Sequence, residues 1–126
     1  MRALRFITLP LATLGVAASS ACAAGPYVSE DGHRYQLVCN DDGVVLTSDQ
    51  PVSRFVGQGA GTRVVTGIEK LYLGRSCDAW HELFGTGRWG WANYGFWAEF
   101  EARRFEFPRQ EIICPAPRPY PGPCER

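Results

Sequence analysis

The chain has 126 residues, with 13 basic and 13 acidic side chains and a formal net charge of zero. That balance excludes the one-sided basic field of a nucleic-acid binder or of a protein drawn to an anionic membrane surface. The length accommodates one small domain and no more.

The N-terminus reads as an export signal. Arg2 and Arg5 precede an apolar run from Phe6 to Ala18, and small residues follow as far as Gly25. Ala21-Cys22-Ala23 is the small-x-small pattern read by a signal peptidase, which places cleavage after Ala23 and the signal peptide at residues 1–23. Pro10 and Gly15 interrupt the run, which is too short for a permanent membrane span. A lipid anchor on Cys22 is the weaker alternative, because Ser19 stands where lipoprotein sites carry a large aliphatic residue. Either way Cys39, Cys77, Cys114 and Cys124 remain, an even set in a periplasmic or secreted chain, and two disulfides are expected. A mature chain this small buries only about 60–65% of its unfolded surface, so bridges worth roughly 2–4 kcal/mol each matter to it.

Residues 24–33 are small, polar or turn-forming and read as a flexible arm. From Arg34 the pattern alternates, with Tyr35, Leu37 and Cys39 on one face and Arg34, Gln36 and Val38 on the other, the period of a half-buried strand. Asn40-Asp41-Asp42-Gly43 is a turn, and Val44 to Ser48 is the return strand of a hairpin. After a break at Asp49-Gln50-Pro51 come a short apolar piece, Val52 to Val56, and a glycine-rich connection, Gly57 to Thr62, expected as a mobile tip. Arg63 to Leu73 is rich in β-branched residues and broken at Gly67, with Leu71 and Leu73 facing one way and Tyr72 the other.

Ser76 to Phe84 carries the spacing of a helix. Cys77, Trp80 and Phe84 recur at i, i+3 and i+7, Ser76 can cap the start and Gly85 can end it. Gly85 to Phe107 then holds eight of the sixteen aromatic residues. Trp89 alternates with Trp91, Asn93-Tyr94-Gly95 turns the chain, and Phe96, Ala98 and Phe100 oppose Trp97, Glu99 and Glu101. Phe105 and Phe107 continue the pattern to Pro108, and Arg109 to Cys114 reads as a last strand. Residues 115–126 form a proline-rich, polyproline-like tail.

Short strands, frequent glycines and one small helix at about 76–84 imply a mainly β fold, an antiparallel barrel or sandwich spanning residues 34–114. In a closed barrel the first and last strands are often neighbours. That favours Cys39 with Cys114, leaving Cys77 with Cys124 to tie down the tail, although the spacing alone leaves three pairings open.

The chemistry-bearing candidates are few. Gly85-Thr86-Gly87-Arg88-Trp89-Gly90 matches GxGxxG, but in the order helix, loop, strand, so the helix N-terminus that receives a pyrophosphate is missing, and the glycines read as turn and close-packing residues. Cys77 and His81 stand four apart, yet no further ligands accompany them; no metal or other cofactor is expected, and His81 reads as a surface or capping residue. No GxSxG, HExxH or other catalytic constellation is present. Glu99, Glu101 and Glu106 read as outward charges paired with Arg103, Arg104 or Arg109 across strands. Trp89 and Trp91 share one face, opposite to Trp97's alternation with Phe96 and Phe100. One set fills the core, and the other can form a flat platform for a sugar ring or a partner protein.

The segments LYLGRSCDA, GTGRWGWANYGF and FPRQEIIC resemble a set of small exported bacterial proteins of unknown function, over roughly Tyr35 to Cys114. A looser resemblance is to the membrane-bound or periplasmic inhibitors of c-type lysozyme, carried by the YxLxC opening at Tyr35, Leu37 and Cys39 and the late pair Phe96-Trp97. It implies a small barrel with cysteines near both ends, but the Ser-Gly-x-x-Tyr loop by which that family blocks its target is absent. The expected function is a non-enzymatic binding module for an envelope glycan, peptidoglycan or a protein partner, contacted through Arg88, Trp89, Trp91, Tyr94 and Trp97. The alternative is an inhibitor of an extracellular hydrolase such as lysozyme.

Overall fold

The computed structural model describes residues 25–115 together with Gly15 and Cys124. The expected signal peptide, Cys22 and most of the proline-rich tail lie outside the described residues. Period-two alternation dictates the rest. The strands are β1 (Tyr27–Val28), β2 (Arg34–Asn40), β3 (Gly43–Ser48), β4 (Val52–Val56), β5 (Arg63–Gly67), β6 (Lys70–Gly74), β7 (Asp78–His81), β8 (Gly85–Ala92), β9 (Gly95–Phe100) and β10 (Arg104–Pro108).

Eight strands form one antiparallel sheet in the order β1-β2-β3-β6-β7-β8-β9-β10, while β4 and β5 form a separate two-stranded ladder. The large sheet is nearly closed into a barrel. Its edges meet where Glu30 N–H donates to the Glu106 carbonyl at 2.8 Å. Beside that bond the Gln110 carboxamide supplies a rung of its own, accepting from Val28 N–H at 2.7 Å and donating to the Val28 carbonyl at 2.6 Å. Backbone groups that an edge strand would leave open are thereby satisfied. The interior is filled by Tyr35, Leu46, Leu71, Trp89, Phe96 and Phe107 among others. Phe96 and Phe107, opposite each other across β9 and β10, stack with centroids 4.6 Å apart.

Both disulfides sit at the end of the barrel that carries the β2–β3, β6–β7 and β8–β9 turns. Cys39 joins Cys114 and Cys77 joins Cys124, the pairing that barrel closure favours. Gly90 makes the second bridge possible. A Cβ there would meet the Trp97 ring at 2.8 Å and the Cys124 carbonyl at 3.0 Å, the carbonyl that accepts from Trp91 N–H. Cys39→Ala with Cys114→Ala opens a loop of sequence separation 75. The pair is expected to cost about 2–4 kcal/mol by denaturant unfolding; an unchanged midpoint would show that the sheet closes without it.

Three expectations are corrected. Residues 76–84 are not helical. Cys77 takes positive φ (65°) and Gly85 another (76°), and the two turns leave only the four-residue strand β7 between them. Residues 25–33 are no loose arm, since Tyr27 is buried and its hydroxyl donates to the Glu111 carbonyl at 2.9 Å. Arg109 to Cys114 is not a strand, because Arg109 at φ 59° turns the chain away from β10; Ile112 is nonetheless buried. The Gly57–Thr62 connection closes through a single 3-10 turn at Gly59–Gly61.

Candidate functional site

The five residues expected to form an aromatic contact face are divided by the barrel wall. Trp89, 1% exposed, belongs to the core. Its indole N–H donates to the Gly74 carbonyl at 2.7 Å, and its ring meets Trp91 edge-on at 5.7 Å. Trp91 is half-buried against the same core. A platform of these two indoles is therefore not formed. Trp97 faces outward, as its alternation requires, yet it is covered by guanidinium groups, with Arg104 at 4.7 Å and Arg88 at 5.9 Å from its ring. Glu99 holds both cations, at 2.9 Å from Arg88 and 2.8 Å from Arg104. These bonds lower its carboxyl pKa. Tyr94, at the β8–β9 turn, is 80% exposed. Beside it runs a shallow groove of 340 Å³ whose lining includes Trp97, Arg104, Phe107 and Pro108.

A second aromatic face exists, built by register. Val38 stands opposite Val45, Val45 opposite Tyr72, Tyr72 opposite Trp80, and Trp80 opposite Thr86, one unbroken row across β2, β3, β6, β7 and β8. All point away from the core. Val38, Tyr72 and Trp80 are 59%, 37% and 44% exposed, and the two rings meet at 5.5 Å in a T-shaped contact. The parallel rows are polar. Gln36, Thr47 and Lys70 lie on one side, and Asp78 and Arg88 on the other. Sequence reasoning misses Trp80 because helical spacing groups it with Cys77 and Phe84 instead of setting it across a strand from Tyr72.

The opposite end of the barrel holds a buried ionic cluster. Arg54, on the inner face of the β4–β5 hairpin, donates to both Glu69 oxygens, at 2.8 Å from Nε and 2.7 Å from Nη2. Its Nη1 reaches Asp31 at 2.7 Å, and its guanidinium lies 5.0 Å from the Phe105 ring centroid. Tyr35 O–H donates to Glu69 Oε1 at 2.5 Å. His81, which is buried rather than on the surface, is 3.1 Å from Glu69 Oε2 through Nε2. Its Nδ1 accepts from Leu83 N–H at 3.0 Å, so Nε2 carries the proton and donates.

Burial alone would raise the Glu69 pKa, but the bonds from Arg54, His81 and Tyr35 hold it far below the carboxylate range. Burial, with Glu69 beside it, pushes the Tyr35 phenol up. Each Glu69 oxygen already has two donors, leaving nothing directed at a substrate. The cluster is a latch that seats the hairpin on the barrel. Its one sequence signal is Arg54 at the inward position between Val52 and Val56.

The Cys77–His81 pair has no metal-binding geometry, since Cys77 is in a disulfide and His81 is engaged by Glu69. Among the described residues no helix is long and apolar enough to cross a membrane. No family model, no curated protein and no solved structure matches the chain.

Proposed function

We propose that the domain is a non-enzymatic binding module of the periplasm or the extracellular space that holds an envelope partner on an aromatic sheet face. The observation that carries this is the Tyr72–Trp80 pair, two large rings left half-open on the outer wall, where the other outward indole, Trp97, is covered by Arg88 and Arg104. Rigid aromatic side chains provide contact area at low entropic cost. The two disulfides and the N-terminal signal pattern support export. Arg88 flanks the face, and Tyr94 is a separate contact at the disulfide end. The mature chain should be retained on purified sacculi or by an envelope protein. Trp80→Ala is expected to weaken that retention about ten-fold, as for an aromatic anchor; retention equal to wild type removes the face.

A second reading, inhibition of an extracellular hydrolase, is favoured by the hairpin. Its outer face pairs Phe55 (76% exposed) with Val64 (55% exposed) behind a tip of small residues, and its base is held by the ionic latch. Such a projection can enter a cleft. Unchanged turnover of c-type lysozyme at micromolar protein would eliminate the lysozyme form.

A further inference from the structure

We infer that the Val38–Val45–Tyr72–Trp80–Thr86 row takes an uncharged saccharide chain laid across the strands, with Trp80 as the stacking ring; this rests on the binding reading above and names its ligand class. Size is the first reason. With about 150–250 Å² of surface per aromatic side chain, the exposed fractions leave on the order of 300 Å² of apolar face. A stable protein interface needs about 800 Å² per partner. The row is too narrow for a protein and, lying on the convex outer wall, cannot enclose a small apolar molecule.

Shape and chemistry give the others. Strands lie about 4.8 Å apart, so the four steps from Val38 to Thr86 make an arc of roughly 19 Å around the barrel wall, the contour length of several linked sugar rings that can bend with it. The track carries no formal charge, and the Tyr72 hydroxyl and Thr86 can bond to hydroxyl groups along it. The rim mixes signs, with Lys70 on one side and Asp78 and Arg88 on the other, so no uniform field selects a polyanion. An apolar track bordered by donors and acceptors on both sides is complementary to a pyranose, whose ring faces are C–H and whose perimeter is O–H.

The test is titration of the mature chain with N-acetylchitotetraose and, separately, cellotetraose, followed by NMR of backbone and indole N–H groups. Shifts confined to Val38, Val45, Tyr72, Trp80 and Thr86 are expected from at least one of them, with the Trp89 indole unmoved. Trp80→Ala should weaken binding about ten-fold or more, and Trp80→Phe less. The wild-type shift map stands by itself if the alanine variant folds poorly. Silence from both oligosaccharides at millimolar concentration, or shifts centred on Tyr94, overturns the inference. If a protein partner is held through Trp80 while both sugars are silent, the saccharide falls and the binding module stands. If Trp80→Ala retains every envelope component as wild type does, both fall.

Discussion

Arg54→Ala is expected to destabilise the domain by about 3–5 kcal/mol, the cost of leaving a buried charge without its partner. Glu69 would keep only Tyr35 and His81 as donors, in a site of a few percent exposure. Arg54→Met combined with Glu69→Gln should be much less damaging, since the uncompensated charge is removed and an acceptor remains. Denaturant midpoints of the three variants decide this, and an additive double variant would refute the latch. The pH dependence has a definite sign. Because the folded Glu69 pKa is depressed, its stabilisation is fully present above the unfolded value of about 4.3 and is lost as pH falls through the folded one. Asp31, where burial is outweighed by bonds from Ser29 and Arg54, shifts in the same direction. Wild-type stability should therefore decline below about pH 4, and Glu69→Gln should flatten most of that decline.

The latch also explains which parts of the fold were legible. Where one face is core and the other solvent, alternation states the strand outright: Tyr35 against Gln36, Leu71 and Leu73 against Tyr72, Phe96 and Ala98 against Trp97. Asn40 announces its turn chemically, its Oδ1 accepting from Asp42 N–H at 2.9 Å and Gly43 N–H at 3.0 Å. The β7 strand is different. Four residues between two positive-φ turns show barely one period of alternation, and the chance recurrence of Cys77, Trp80 and Phe84 at helical spacing overrode it. Ala79 and His81 inside with Asp78 and Trp80 outside is the pattern that decides the matter, but it is visible only once Leu71 is set against His81.

Site residues were harder because they arise from register. Nothing local in Val38, Val45, Tyr72 and Trp80 marks them as neighbours; three ladders must first align them. The same holds for Arg54, Glu69 and His81, which converge from β4, the β5–β6 turn and β7. For the aromatic stretch, alternation puts Trp89 and Trp91 on one face and sets Trp97 against Phe96 and Phe100, but it does not say which face is core. It could not carry the fact that Arg88 and Arg104 would fold over the outward indole, since that depends on Glu99 holding both guanidinium groups.

Trp89→Ala and Trp80→Ala should separate core from contact face. Trp89 is enclosed, its N–H bonded to the Gly74 carbonyl and its ring against Trp91. Its removal leaves a large cavity and reduces the Gly74 carbonyl to the single donor Cys77 N–H, and a loss of about 3–5 kcal/mol is expected, most of it from the cavity. Trp80 rests on the outer wall, its ring against Tyr72 and nearly half its surface in water. Its removal opens no enclosed cavity, so a loss of about 1 kcal/mol or less is expected, mostly from the cross-strand pair. Unfolding curves measure both. Equal destabilisation would make the Tyr72–Trp80 pair a structural element as well, and the wild-type shift map would then decide alone whether it holds a ligand. A stable Trp80→Ala that has lost its ligand isolates function on a ring the fold does not need.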